Sequence, residues 1–419
     1  MKRAKQILKI LFFALTGVLA LAGLTLAGFA LIPPKPLKPS HPQIPDQSAF
    51  KLDEKVGWYQ TDDDRRLMLT WGSTGGLTIN EFAPIDGGDL VPVNADQYLW
   101  KPYYLKEEYR VTFQHDAGGK VTGMQWADAA GRQHDAARLE GHAYDQAEVR
   151  YRNGGVELVG LLMTPLAEGP HPAVVFVHGS GNSIRDYSYY LHMADHLARQ
   201  GCIVLLPDKR GCGKSGGEWL TSSFEDYAGD ALAAVDLLTG VEAVDGGRIG
   251  LVGISQGGWI LPLAASKSER VRFIVSVSGS ATILDETMRH EISADMRDKG
   301  VPGWAISIVE PVVSSRVRKS HGEFWRLNGY FDPLPYWKKL SIPALVLNGR
   351  LDKNVPVPAS LARLEEVRRS NGKADIAFQT YDESGHCLVD PLTGRDPRLA
   401  GARQDALDLM TEWIQTATQ

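Results

Sequence analysis

An apolar strand pattern runs directly into a glycine–serine–glycine turn near the middle of the chain. Residues 251–258 read Leu-Val-Gly-Ile-Ser-Gln-Gly-Gly, and a helix-like stretch follows them. Glycine at positions 253 and 257 leaves room for the neighbouring strand and helix, so Ser255 can sit on a sharp turn. A serine hydroxyl is a poor nucleophile at neutral pH unless it is held where a base can take its proton. The pattern therefore predicts a strand–turn–helix unit that carries a nucleophile.

Two later strand patterns end in the side chains that such a serine needs. Asp352 and His386 each fall shortly past an apolar run, and the chain order Ser255, Asp352, His386 is one of the known orders of a catalytic triad. The carboxyl ends of parallel strands share one edge of a sheet, where open α/β sheets bind ligands. We therefore expect these three side chains to meet. Asp382 is the alternative to Asp352, but its closeness to His386 in sequence disfavours it.

A third strand pattern predicts an oxyanion hole. Residues 173–181 read Ala-Val-Val-Phe-Val-His-Gly-Ser-Gly, a buried run that ends in a tight turn. Backbone N–H groups preset around a carbonyl oxygen stabilise the negative charge that acyl transfer puts on it. The expected donors are the N–H of Gly179 or Ser180, together with the N–H of Gln256. We interpret His178 as a structural turn residue.

These motifs carry a family resemblance. From about Glu148 to the C-terminus the chain resembles the α/β-hydrolase superfamily, and most of all bacterial serine esterases and dienelactone-hydrolase-like or prolyl-oligopeptidase-like proteins. The resemblance implies an α/β fold, with a mostly parallel sheet flanked by helices and a helical cap inserted at about residues 281–339. The fold also hosts peptidases, lipases, acyltransferases and dehalogenases. The motifs that carry the resemblance are residues 178–181, 207–215, 253–257, 349–352 and 385–386.

The resemblance implies a two-step acyl transfer. His386 would take the proton of Ser255 as it attacks an acyl carbonyl, Asp352 would orient the imidazole, and water would release the acyl group. A carboxylesterase acting on a small acyl ester is the favoured function, because the motif set is complete and the cap could form an apolar lid. A serine peptidase of the aminopeptidase or prolyl-oligopeptidase kind is the alternative. A non-catalytic binding protein on a hydrolase scaffold is the third possibility.

Composition narrows the set of partners. The 419-residue chain has a formal net charge of −5, which disfavours nucleic acid as a partner. His and Cys never cluster at metal-ligand spacing, so we predict neither a metal nor a cofactor. The three cysteines allow at most one intramolecular disulfide. We consider a Cys212–Cys387 bond as a hypothesis, because both residues fall on predicted loops, whereas Cys202 lies in a predicted core strand.

The N-terminus has the pattern of a membrane anchor. Residues 10–32 are uncharged and would form a helix of roughly 34 Å, long enough for a hydrocarbon core of about 30 Å. Residues 1–32 thus predict a single-pass anchor with the catalytic domain outside the cytoplasm, periplasmic or extracellular. The alternative is a cleaved signal peptide and a secreted enzyme. Residues 33–49 are a proline-rich linker. The positive charges that precede the apolar stretch are Lys2, Arg3, Lys5 and Lys9.

Residues 50–141 have a different pattern from the catalytic domain, residues 142–419. Short alternating runs broken by Gly, Asp and Pro predict a small antiparallel β domain, which resembles the lipocalin-like modules of some bacterial serine hydrolases. We expect it to act in packing or spacing, or else in substrate gating or partner binding. The runs that predict strands are residues 66–71, 77–82, 109–113 and 121–126.

The predicted cap contains six aromatic residues, namely Trp304, Trp325, Tyr330, Phe331, Tyr336 and Trp337.

Overall fold

The computed structural model describes residues 52–71, 76–82, 85–102, 108–127, 130–139, 143–371, 375–389 and 402–416. Within these residues the strands form two sheets. One is a closed antiparallel barrel and the other is an eight-stranded mixed sheet. The second sheet is flanked by helices and carries a helical insertion. This is the α/β-hydrolase architecture with an N-terminal β domain that the sequence predicted.

The barrel closes because its last strand returns to its first. Each strand pairs antiparallel with the next, and Tyr59 of the first strand pairs with Arg138 of the last. The four predicted strands are present, and the barrel adds four more. The strands are β1 (Gly57–Thr61), β2 (Arg66–Trp71), β3 (Leu77–Phe82), β4 (Ile85–Pro92), β5 (Gln97–Pro102), β6 (Tyr109–His115), β7 (Val121–Ala127) and β8 (Gln133–Arg138).

The inside of the barrel is a packed core. Alternate side chains along each strand turn inward and interlock, as the pleat of a strand requires. Lys55 extends beneath this core, with its ammonium 5.7 and 5.5 Å from the rings of Tyr98 and Phe113. The larger side chains that fill the interior include Tyr59, Leu67, Leu69, Leu77, Ile79, Leu90, Tyr98, Trp100, Tyr109, Val111, Phe113, Met124 and Trp126.

Outward-facing residues of β1–β3 join the barrel to the hydrolase body. Trp58 and Met68 are buried in the same cluster as Tyr144, and the rings of Trp58 and Tyr144 meet edge to face with centroids 6.3 Å apart. Ser188 Oγ donates a hydrogen bond to Asn80 Oδ1 at 3.3 Å. The barrel is therefore packed against the body through shared apolar side chains, and fully buried aromatic residues of this kind contribute strongly to stability.

The large sheet has the strand order β16-β15-β14-β13-β11-β12-β10-β9. Strands β11 to β16 run parallel, while β10 is antiparallel to both of its neighbours. The central parallel strands carry long apolar runs, such as residues 173–177 of β11 and 249–254 of β13, because both faces of the sheet are covered there. The strands are β9 (Tyr144–Asn153), β10 (Val156–Pro165), β11 (His171–Val177), β12 (Ile203–Pro207), β13 (Val244–Ile254), β14 (Phe273–Val277), β15 (Ala344–Gly349) and β16 (Ile376–Tyr381).

Helices cover both faces of this sheet. The first and last pack on one face in a cluster that includes Leu191 and Met410. The other three pack on the opposite face, where Leu238, Leu261 and Leu364 are buried. The helices are α1 (Ser188–Arg199), α2 (Phe224–Leu238), α3 (Gly257–Ala265), α7 (Val357–Ser370) and α8 (Gln404–Thr416).

The cap is a three-helix insertion between β14 and β15. It consists of α4 (Leu284–Asp298), α5 (Gly303–Asn328) and α6 (Leu334–Trp337). Asn328 fastens it to the body, because its Oδ1 accepts from Phe224 N at 2.7 Å and its Nδ2 donates to Ser222 O at 3.0 Å. Among the cap aromatic residues, Trp325 and Trp337 are buried, and Phe331 and Tyr336 pack on the core. Trp304 and Tyr330 are exposed.

The hypothesis of a Cys212–Cys387 disulfide is wrong, since all three cysteines are free. Cys212 is buried, with its Sγ 3.7 Å from the carbonyl oxygen of Arg210, whereas Cys387 lies next to His386. The predicted membrane helix and the proline-rich linker lie outside the described residues. Within the ranges described above, none of the helices has the length and apolar character needed to cross a bilayer.

Candidate active site

Ser255 sits on a strained turn between β13 and α3. Its φ is +53°, a left-handed conformation that costs a residue with a side chain about 1–2 kcal/mol. The flanking glycines make the turn possible. A Cβ on Gly253 would lie 2.7 Å from Leu261 Cγ, and a Cβ on Gly257 would lie 2.7 Å from Val177 O. The turn holds the serine at the carboxyl end of the parallel strands, as the Gly-x-Ser-x-Gly pattern predicted.

The structure brings Ser255, His386 and Asp352 into one hydrogen-bonded chain. His386 Nε2 lies 3.0 Å from Ser255 Oγ, and His386 Nδ1 lies 2.8 Å from Asp352 Oδ2. Because a carboxylate only accepts, Nδ1 carries the proton in this pair and Nε2 is free to accept from the serine. The other carboxylate oxygen of Asp352 accepts from the backbone N–H groups of Asn354 and Val355 at 2.8 and 3.0 Å.

His386 is electrostatically suited to take up a proton. Burial by itself lowers the pKa of His386, but the adjacent Cys387 side chain and the Asp352 carboxylate act in the opposite sense and hold the pKa well above the usual histidine value. The Asp352 side chain is fully enclosed. A buried carboxylate next to an imidazole stabilises the imidazolium that forms when the serine loses its proton.

The alternative orienting carboxylate lies elsewhere. Asp382 Oδ1 accepts from Arg350 Nε at 2.6 Å, and both side chains are exposed. Asp382 thus pairs with an arginine at the surface, and Asp352 is the carboxylate that contacts the imidazole.

One of the three expected oxyanion donors is already engaged. Gly179 N–H donates to the Tyr190 hydroxyl at 2.9 Å, so the expectation that Gly179 donates to an oxyanion is corrected. The N–H groups of Ser180 and Gln256 have no acceptor among the described residues. The loop lies against the nucleophile, since a Cβ on Gly179 would be 3.5 Å from Ser255 Cβ. Two backbone donors therefore flank the serine.

His178 has the position of a structural residue. It is buried, its Nε2 bonds the carbonyl oxygen of Pro207, and its ring meets the Tyr190 ring edge to face with centroids 4.4 Å apart. Burial lowers the pKa of His178 to about 4, so the ring is neutral at physiological pH.

Sequence reasoning missed three residues that shape the site. Lys209 Nζ donates to two carbonyls of the oxyanion loop and to the side chain of Gln256. Tyr190 binds Gly179 N–H, and Tyr189 Oη donates to Cys387 O at 2.7 Å. Lys209 could have been found, because it follows the carboxyl end of β12 at the same sheet edge as the triad. The two tyrosines lie in the first turn of α1, where no local pattern indicates a role.

The fold and the Ser-His-Asp geometry define the class to which the chain belongs. A model of the alpha/beta hydrolase family matches residues 174–398, more than half of the chain, and the chain is a member of that family. In the described ranges, no group of three or more His, Cys, Asp or Glu residues could hold a metal ion.

Individual relatives include both esterases and peptidases. The chain is 23% identical over 339 residues to esterase EstD of Thermotoga maritima, covering 77% of this chain and 79% of the relative. It is 24% identical over 266 residues to dipeptidyl-peptidase 5 of Porphyromonas gingivalis, covering 61% of this chain but only 36% of the peptidase.

Solved structures show the same fold. An esterase of Pyrococcus furiosus superposes with a TM-score of 0.50 at 20% identity, covering 67% of this chain and 97% of the esterase. An acylaminoacyl peptidase of Pyrococcus horikoshii superposes with a TM-score of 0.54 at 16% identity, covering 84% of this chain and 54% of the peptidase. At these identities the likeness concerns the fold alone.

Proposed function

We propose that this chain is a serine hydrolase that cleaves carboxylic esters through an acyl-enzyme intermediate. The observation that carries the proposal is the continuous contact from Ser255 Oγ to His386 at 3.0 Å and from His386 to Asp352 at 2.8 Å. Nucleophile, base and orienting carboxylate all lie within hydrogen-bond reach, which is the arrangement that activates a serine hydroxyl.

In the first half-reaction, Ser255 Oγ attacks the ester carbonyl carbon while His386 Nε2 takes its proton. The carbonyl oxygen becomes an oxyanion, which the N–H groups of Ser180 and Gln256 stabilise. The tetrahedral intermediate then collapses, the C–O bond to the alcohol breaks, and His386 returns the proton to the departing alkoxide. The product is an acylated Ser255.

The second half-reaction releases the acyl group. His386 takes a proton from water, and the resulting hydroxide attacks the acyl carbon. The new oxyanion occupies the same two donors, and its collapse breaks the bond to Ser255 Oγ, which recovers a proton from the imidazolium. Asp352 keeps the imidazole in the required tautomer throughout.

Esters are the proposed substrates because the similarity to esterase EstD extends over most of both chains. A serine peptidase is the second candidate, and the similarity to dipeptidyl-peptidase 5 favours it. The chain spans only about a third of that peptidase's length, which makes this support weaker.

The test compares kcat/KM for short-chain acyl esters with kcat/KM for matched aminoacyl and prolyl anilides, using Ser255→Ala as the control. Preference for the ester that disappears in the variant supports the esterase. Anilide turnover equal to or above ester turnover would transfer the assignment to a peptidase. Equal activity of wild type and Ser255→Ala would show that Ser255 does not catalyse the reaction, which would contradict the proposal.

We also propose that the enzyme acts outside the cytoplasm, tethered by an N-terminal helix. The support is the cluster of Lys and Arg before the uncharged residues 10–32, the charge pattern that keeps an N-terminus in the cytoplasm. Intact-mass analysis of the membrane fraction tests the tether. A full-length mass fits an anchor, whereas loss of about thirty residues from the N-terminus would indicate a cleaved signal peptide.

A further inference from the structure

A buried lysine lies behind the oxyanion loop. Lys209 follows β12, and its side chain is enclosed by the body of the protein. Its ammonium donates to Gly179 O at 2.8 Å, to Gly181 O at 3.1 Å and to Gln256 Oε1 at 2.6 Å. These three bonds use all three ammonium donors. In the described part of the chain, no carboxylate forms an ion pair with Lys209.

The contact with Gly179 acts on a donor of the oxyanion hole. The Gly179 carbonyl and the Ser180 N–H belong to the same planar peptide unit, and in a trans peptide they point in opposite directions. An ammonium bonded to the carbonyl therefore leaves the Ser180 N–H facing away from Lys209. The third bond of the ammonium holds Gln256, the residue that supplies the other free N–H.

We propose that Lys209 is a positioning residue for the oxyanion hole, tying together the two segments that carry its backbone donors and polarising the Ser180 N–H. This inference rests on the proposed function. A positive charge on the carbonyl end of a peptide unit draws electron density from its N–H end, which strengthens the hydrogen bond that the N–H donates. Because none of the described carboxylates forms an ion pair with Lys209, its positive charge acts through the Gly179–Ser180 peptide unit without a neutralising partner.

Two aromatic rings also stabilise the positive charge of the Lys209 ammonium. The ammonium lies 5.8 Å from the centroid of the Trp219 ring and 5.1 Å from that of the Tyr227 ring, a distance at which cations are attracted to ring faces. Burial nevertheless lowers the pKa of Lys209 to about 8. The lysine thus titrates within an experimentally accessible range.

Three titratable side chains near Lys209 do not change their protonation between pH 7 and pH 9. His178 is neutral because burial lowers its pKa to about 4, burial raises the pKa of the Cys212 thiol to about 11, and burial raises the pKa of Tyr227. The nearby carboxylates have other partners. Asp230 Oδ2 accepts from Arg210 Nε at 2.8 Å. Asp208 accepts from the backbone N–H groups of Arg185 and Lys214 and lies 3.8 Å from the Arg185 guanidinium. Among His178, Cys212, Tyr227 and Lys209, Lys209 is therefore the group whose pKa lies between 7 and 9.

The first test is Lys209→Met in the full-length enzyme, with Lys214→Met as the matched control. Lys214 lies in the same loop but pairs with Glu148 at 2.7 Å. For Lys209→Met we expect kcat for the ester to fall about 10- to 100-fold with KM changed less than about threefold, because only the transition state carries the oxyanion. Lys214→Met should keep kcat within about twofold of wild type. A Lys209→Met enzyme with wild-type kcat would overturn the inference.

The second test does not depend on the folding of the methionine variant. Wild-type kcat should fall as pH rises through about 8, as Lys209 loses its proton, whereas Lys209→Arg should lack this basic limb because a guanidinium stays charged. A basic limb near pH 8 that Lys209→Arg retains would refute the role. The controls separate the two proposals. Ester hydrolysis no faster in wild type than in Ser255→Ala would defeat the proposed function itself, whereas a Ser255-dependent wild type matched by Lys209→Met would defeat only this inference.

Discussion

Replacing Asp352 with asparagine tests the orientation of the triad. Asp352 Oδ1 accepts two backbone N–H groups, from Asn354 at 2.8 Å and Val355 at 3.0 Å. An asparagine would keep its oxygen there, since turning the amide around would leave both N–H donors unpaired, and the buried donor of Val355 alone would cost roughly 1–3 kcal/mol. Its NH₂ group would then face His386 Nδ1. Because that nitrogen must now accept, the ring proton moves to Nε2, and the imidazole can no longer take the proton of Ser255.

The expected loss is large. Fixing the wrong tautomer in a serine triad lowers kcat by about 10⁴, which is roughly 5.5 kcal/mol of activation free energy. The assay is kcat for a short-chain acyl ester at constant pH, with thermal unfolding to confirm that the variant is folded. The matched control is Asp382→Asn, which removes the carboxylate bound to Arg350 at the surface and should leave kcat within about threefold. Activity of Asp352→Asn within tenfold of wild type, or equal impairment of Asp382→Asn, would refute this account of the triad.

The remaining predictions concern the base, the nucleophile, the elbow and the barrel. Ser255→Ala and His386→Ala should each lower kcat at least about a thousandfold; near-normal turnover of either purified variant would contradict the assignment. Because the pKa of His386 is raised and only the neutral ring accepts a proton, kcat/KM should rise with pH and reach half its maximum above about 6.5, whereas a midpoint below 6 would argue against the raised pKa. Gly257→Ala, which brings a Cβ within 2.7 Å of Val177 O, should lower both the melting temperature and kcat, and an unchanged melting temperature would show that the turn relaxes freely. Trp58→Ala should lower the free energy of unfolding by about 3–5 kcal/mol, measured by urea titration; a loss below about 1 kcal/mol would show that the barrel contact contributes little.

The sequence predicted those strands whose hydrophobic pattern matches their burial in the folded protein. Strands β11 to β15 each contain an apolar run of at least three residues. The carboxyl ends of the parallel strands lie at one edge of the sheet, so pattern and topology together predicted a site there. Four barrel strands were missed for a local reason. In β8 the inward residues are His134 and Ala136, which give no hydrophobic alternation. In β4, Gly88 disfavours a strand by propensity, yet it is needed there because a Cβ would lie 2.4 Å from Lys101 O.

Contacts between distant segments account for the errors in the site. Gly179 was expected to donate to an oxyanion, but Tyr190 reaches it from the start of α1, and only the packed fold reveals that contact. The disulfide hypothesis is wrong because assignment to loops does not fix the distance between two cysteines, and Cys212 and Cys387 are both free. The sequence did not indicate a role for Lys209, because a lysine after a strand is usually exposed to solvent. The burial of Lys209 depends on how α2 and the oxyanion loop pack around it.

Covalent labelling with a fluorophosphonate shows whether Ser255 is an activated nucleophile. The purified enzyme would be treated with a fluorophosphonate and digested, and the modified peptide would be identified by mass spectrometry. We expect one adduct, on Ser255, and no labelling in Ser255→Ala. A wild-type enzyme that remains unlabelled, or an adduct on another residue that persists in Ser255→Ala, would contradict the claim that this serine is the activated nucleophile.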